Sequence, residues 1–200
     1  MQRKTFAILG CLAPLLFAMT YLLMSNSRED YSMYFKAVSE LGSVGAPNGW
    51  IWNIFGYGIP GILIAVFSIG LFRDVQSRPS WWPMVGGIGS GVMMTVSAIF
   101  PGDFEDRQSA TMLLHTVGSF GSYLFYLLAA FTYPAHMKGS GYWQKAVRPT
   151  QYLVWLTILF GSWPLIMTSH PALGQRLVFF CYWLWIFYTG WLLYKRPEGH

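Results

Sequence analysis

Glu40, Asp103 and His115 are ionisable residues placed beside long apolar runs, at what reads as one common depth. An imidazole oriented by a carboxylate serves as a general base or as a metal ligand. Ser39, Asn53, Ser119 and His170 would add hydroxyl, amide and imidazole partners from neighbouring segments. Three chemistries use such a set. Glu40, Asp103, His115 and His170 are acceptable zinc ligands in type, and a zinc-bound water would cleave an ester or amide. Their spacing matches no short motif such as H-E-x-x-H. A Ser/His/Asp triad would draw on Ser119 or Ser39 with His115 and Asp103, but no nucleophile elbow surrounds either serine. A haem between His115 and His136 would have to bridge roughly 30 Å of helix. Without catalysis, the same groups would hold a headgroup amine or hydroxyl against Glu40 and Asp103.

Each residue also has a plain structural role. His115 would tie its helix to a loop carbonyl. Glu40 would cap a helix or pair with Lys36, four residues away. Asp103 follows Pro101-Gly102, as a turn residue does. Asn48 stands where a helix cap belongs.

The elements that position these residues follow from composition. Of the 200 residues 54% are hydrophobic and only 10% charged, against about 25% charged in soluble domains. A helix needs about 20 apolar residues to cross the hydrocarbon core. Six stretches qualify: Phe6–Met24, Gly49–Phe72, Trp81–Phe100, Thr111–Tyr133, Gln151–Ser169 and Leu177–Tyr194. The fold class is therefore all-α: a polytopic membrane protein, one six-transmembrane-helix bundle over residues 1–200. The first run is too long for a signal peptide and lacks an A-x-A site, so a retained helix is expected.

With both termini inside, nine Lys and Arg fall on the inner side and four on the outer, which favours an N-in/C-in topology. The net charge of +5 then reflects topology and anionic lipid, not nucleic acid. Within the first outer loop, Tyr31, Tyr34, Phe35, Val38 and Leu41 have helical spacing, which predicts a short amphipathic helix on the surface. Gly86/Ser90, Gly87/Gly91 and Gly118/Ser122 are each four apart and predict close packing of the third and fourth helices. Pro14, Pro60 and Pro164 are expected to bend their helices. Cys11 and Cys181 lie at different depths and read as packing residues.

The run "VSELGSVGAPNGWIWN", the "FPGD" after the third helix and the histidine of the fourth resemble an uncharacterised prokaryotic six-helix family, the domain of unknown function 998. That resemblance implies the same topology and carries no activity with it. Ser39, Glu40, Gly42 and Pro47 also follow the order found in the first luminal loop of the Frag1/DRAM/Sfk1 group. This second similarity implies a connection with lipids.

Charged residues are absent from the middle of all six helices, which argues against an ion-coupled transporter. The expected function is binding, with or without remodelling, of a lipid or amphiphile in an outward-facing polar pocket. His115, Asp103 and Glu40 would form its centre, with Ser39, Asn53, Ser119 and His170 around them. The expected setting is a prokaryotic cytoplasmic membrane, with the polar cluster extracytoplasmic. The alternatives are a scaffold or assembly subunit using its small-residue seam for partner helices, and a metal-dependent membrane hydrolase.

Overall fold

The computed structural model describes residues 2–197, apart from the side chain of Pro164. Its long helices are α1 (Arg3–Asn26), α2 (Gly49–Val75), α3 (Trp82–Ile99), α4 (Ala110–Met137), α5 (Val147–Gly161) and α6 (Pro171–Lys195). No strand occurs among the described residues. Five of these helices, all but α5, are long and apolar enough to cross a membrane. Each helix packs on its neighbour in sequence, and α6 returns to α1, so the six close into a ring. The seam between α3 and α4 is the most extensive, and that between α4 and α5 the thinnest.

Lipid gives helices no hydrophobic reason to associate, so close approach of backbones has to hold them. At Gly86 a Cβ would lie 2.5 Å from the backbone nitrogen of Ala129 and 2.8 Å from the carbonyl of Phe125, both on α4. At Gly118 it would meet Ser97 Oγ at 2.5 Å. The α3–α4 seam is thus built as the small residues suggest. Gly87 and Gly91 instead face α2, against Ser68, Gly61 and Ala65. The two i, i+4 pairs sit on adjacent faces of α3, which is how one helix packs tightly on both sides.

Aromatic side chains fill the interior. Phe17 of α1 meets Trp52 of α2 (5.4 Å between centroids), Phe179 (5.1 Å) and Trp183 (4.8 Å) of α6. Tyr126 of α4 meets Tyr182 at 4.7 Å and Trp185 at 5.6 Å. Trp50, Trp81, Trp82 and Tyr152 are exposed near helix ends, where an aromatic belt would stand. At the end that holds both termini, Asp74 pairs with Arg196 and accepts from Trp143 Nε1 at 2.8 Å. The Arg196 carbonyl in turn accepts from Arg3 Nη2 at 2.6 Å. One acidic residue thereby ties the end of α2 to the end of α6 and to the turn Trp143–Ala146.

Three expectations change. The fifth helix does not run from Gln151 to Ser169: it covers Val147–Gly161, and a separate turn follows at Trp163–Ile166. Pro164 has no N–H to give the carbonyl of Phe160, and the helix is left at Ser162. The first outer connection holds only the single 3-10 turn Val38–Gly42 in place of an amphipathic helix. Besides local turn bonds such as Lys36 N–H to the Ser32 carbonyl (2.9 Å), its backbone reaches α6: Val38 N–H donates to Gln175 Oε1 (2.8 Å), and the Tyr34 carbonyl accepts from Ala172 N–H (3.2 Å). Asn48 is left-handed (φ 54°) and makes no side-chain cap.

Inside α2, Trp52–Gly58 is a π-helical stretch, with Ile59 N–H bonded to the Ile54 carbonyl. Pro60 follows and lacks a donor for this turn, which favours the wider ladder.

Gly86→Val should destabilise the bundle by about 1–3 kcal/mol, the cost of overpacking. Gly141→Ala, where an added Cβ meets nothing within 4 Å, should change stability by less than about 0.5 kcal/mol. Thermal unfolding of the two variants in one detergent checks both expectations.

Candidate functional site

The residues expected to form a polar centre are each engaged locally. His115 is buried in the second turn of α4, and its Nδ1 meets the carbonyls of Phe100 (2.9 Å) and Ser97 (3.1 Å) at the end of α3. As an N–H donor it satisfies carbonyls that a helix terminus leaves without partners. Asp103 Oδ1 accepts from Asp106 N–H at 3.0 Å, a turn contact. Glu40 Oε1 accepts from Ala37 N–H at 2.6 Å and closes the 3-10 turn. Asn53 Nδ2 donates to the Gly42 carbonyl at 2.9 Å, fixing the loop over the start of α2. Ser39 is buried beneath that loop. His170 is exposed and lies against the rings of Tyr34 and Phe35.

Val44 N–H bonds the Gly102 carbonyl at 2.9 Å, so the loops bearing Glu40 and Asp103 do meet. Their carboxylates and His115 share no hydrogen bond among the described residues. Nor do any three His, Cys, Asp or Glu side chains there stand together as a metal site would need. The candidate zinc set of Glu40, Asp103, His115 and His170 is therefore not gathered into one place. Lys36 pairs with Asp30 rather than with Glu40. Arg28 and Lys36 together hold the Asp30 carboxyl well below the usual carboxylate range.

A cavity of about 270 Å³ lies one to two turns further in, between α3, α4, α5 and α6, with Tyr57 of α2 at its back. Of the residues expected to form the polar site, only Ser119 lines it, joined by Ser122, which the sequence marks for helix packing. Its polar groups are otherwise Ser97, Ser122, Tyr57, Tyr123, Tyr182 and Gln175. Ser97 Oγ and Ser119 Oγ are 3.1 Å apart. Deeper in, Ser90 Oγ donates to the Ser122 carbonyl at 2.9 Å and lies 3.0 Å from Tyr182 Oη. The remaining lining is apolar, with Met94, Phe120, Phe160, Val178 and Phe179 among it, and no side chain in it carries a charge.

The cavity exists because α5 stops. Gly161 and Phe160 line it, and α5 ends there, giving way after Ser162 to the separate turn Trp163–Ile166. At this thin α4–α5 seam Phe120, one of the lining residues, is 65% exposed. A sequence signal for this site does exist: Ser90 and Ser97 on α3, like Gln175 and Tyr182 on α6, are seven apart and share a face.

Residues 11–192 match the family model described as a protein of unknown function, DUF998. The match takes in nearly the whole chain, and the chain belongs to that family. Neither the curated proteins nor the solved structures give a match.

Replacing His115 by Ala would strip two carbonyls at the end of α3 of their donor, a loss worth about 1–3 kcal/mol. His115→Asn, which can present an N–H at a similar position, should recover part of it. Thermal unfolding reads this directly. Unchanged stability with loss of a co-purifying ligand would instead assign His115 to the site.

Proposed function

We propose that this protein is an integral membrane protein that binds a lipid or other amphiphile in the cavity between α3, α4, α5 and α6. The observation that carries the reading is the position of the cavity beside the early end of α5, where its lining residue Phe120 is exposed. A ligand entering there would come from the bilayer rather than from water. The volume is close to the lower end of the ~300–1,000 Å³ common for small-molecule sites. It suits one chain or one ring system rather than a whole diacyl lipid.

The lining sets the chemistry of the ligand. An apolar wall takes hydrocarbon, and the hydroxyls of Ser97, Ser119, Tyr123 and Tyr182 with the Gln175 amide offer both donors and acceptors. A neutral polar function, such as a hydroxyl, ether or carbonyl, meets these groups at no charge-desolvation cost. A headgroup amine facing Glu40 and Asp103 is not part of this reading, because neither residue reaches the cavity. The serines there have no imidazole or carboxylate beside them in the lining, which favours binding over hydrolysis.

The topology belongs to the same proposal. From Val147 to Ile166, α5 and the turn after it comprise 20 residues, enough for a sixth crossing despite the break. With an even number of crossings and the positive charges counted above, both termini are cytoplasmic. The cavity then opens into the outer leaflet, as in a prokaryotic cytoplasmic membrane. The lipid-associated order Ser39, Glu40, Gly42, Pro47 agrees with this setting, although the structure engages Glu40 and Gly42 in the fold of the loop itself.

Ser119→Phe tests the proposal, since Ser119 lines the cavity and is exposed enough to accept a larger side chain. Native mass spectrometry of the detergent-purified wild type should show a bound neutral amphiphile that organic solvent extracts. Ser119→Phe should reduce its occupancy about tenfold, corresponding to ~1.4 kcal/mol, while Leu159→Phe on the outer surface should not. An occupied cavity in Ser119→Phe, or a wild type that takes up no neutral lipid even when reconstituted with an excess, would reject the site.

A further inference from the structure

On the neighbouring face of α6 a second hollow runs between α1 and α6, a groove of about 450 Å³ that shares only the Phe179 ring with the neutral cavity. Its walls are Pro14, Phe17 and Leu22 of α1 with Phe179, Phe180 and Leu184 of α6, and Arg176 stands at its head. Leu22 and Phe180 are 57% and 63% exposed, so the groove faces the surroundings of the bundle.

Arg176 is unusual in what it bonds. Nε donates to Tyr21 Oη (2.9 Å), Nη1 to the Ala172 carbonyl (2.9 Å), and Nη2 to Tyr31 Oη (2.6 Å) and the Lys36 carbonyl (2.9 Å). All four acceptors are neutral, and among the described residues no carboxylate pairs with it. Arg28 and Lys36, the cations beside it in the first loop, share Asp30. A guanidinium has five N–H donors, and these four bonds leave one on Nη1 free. A cation fixed by four hydrogen bonds, with no carboxylate paired to it among the described residues, thus stands at the head of an apolar groove.

The dimensions match one lipid leaflet. Arg176 lies in the second turn of α6, near the end of the bundle where headgroups would be. Phe187, the deepest lining residue on α6, is eleven positions further on, roughly 16 Å at helical rise. That is about half of the ~30 Å hydrocarbon thickness.

We infer that the α1–α6 groove seats an anionic phospholipid, its phosphate against Arg176 and one acyl chain along Phe179, Phe180 and Leu184. Charge complementarity selects the headgroup: the Arg176 charge at the groove's head suits a phosphate, and the apolar walls suit the chain. A zwitterionic lipid would bring a second, cationic group toward Arg28 and Lys36. The neutral cavity lies on the adjoining face of α6, with Phe179 as the wall between the two.

The test uses the full-length protein reconstituted in bilayers of equal phosphatidylglycerol and phosphatidylcholine with identical chains, then released for native mass spectrometry. Wild type should retain one phosphatidylglycerol in about tenfold preference over phosphatidylcholine, and Arg176→Gln should abolish the preference. Because Arg176 also ties the first loop to α6, a second variant leaves it intact: Ala18→Trp, at an exposed residue lining the groove, should lose the adduct at unchanged melting temperature. Ser119→Phe should keep it, which separates this site from the neutral cavity. Equal retention of the two lipids by wild type, or an undiminished preference in Arg176→Gln or Ala18→Trp, would overturn the inference.

Discussion

The paired anchors Gln175 and Arg176 on α6 are what the end of the bundle around the first connection depends on. Backbone that is neither helix nor sheet still has an N–H and a C=O per residue to satisfy. The segment from Tyr34 to Val38 meets this constraint by bonding to α6: Val38 N–H to the Gln175 amide, the Lys36 carbonyl to Arg176, the Tyr34 carbonyl to Ala172. The loop is thereby held flat across α6. From there it continues to Gly42, where Asn53 takes over, and to Val44, which reaches Gly102. One residue of the pair, Gln175, looks into the neutral cavity, and the other, Arg176, heads the α1–α6 groove. The two hollows flank the same two side chains.

Much of the architecture is legible in the sequence because the thickness of a bilayer is a fixed ruler. Four of the six helices overlap their apolar runs and extend them by a few residues, as with Phe6–Met24 inside Arg3–Asn26. α5 was not legible in this way. Gly161, Ser162 and Pro164 interrupt an apolar run without interrupting its hydrophobicity, and a count of apolar residues passes over a break in hydrogen bonding. The small residues of α3 foretell tight packing but not against which neighbour, because a helix position fixes depth and only relative azimuth. Gly87 and Gly91 therefore turned out to face α2.

The same distinction explains the site. Glu40, Asp103 and His115 stand out by type, yet their nearest partners are backbone groups of adjoining loops, which no residue letter announces. The cavity was hidden for the opposite reason. Serines and tyrosines inside a membrane helix read as packing residues or as local back-bonding to the preceding turn. Ser119 stands out through its place four residues after His115, while Ser97, Tyr57 and Tyr182 do not. Their shared feature is relative position across three helices, and only the folded ring brings it together.

The shortness of α5 bears also on the membrane itself. Its 15 residues rise over roughly 22 Å before the break, while α1, α4 and α6 each exceed 20 residues. A bundle with one low wall meets its lipid annulus unevenly, and a bilayer accommodates a local deficit by thinning beside it. Headgroups would dip closest to the protein core at the gap between α4 and the end of α5. Bilayer thickness would then act on this protein as a physical variable, setting how far an amphiphile must leave its own leaflet to reach the ring of hydroxyls inside.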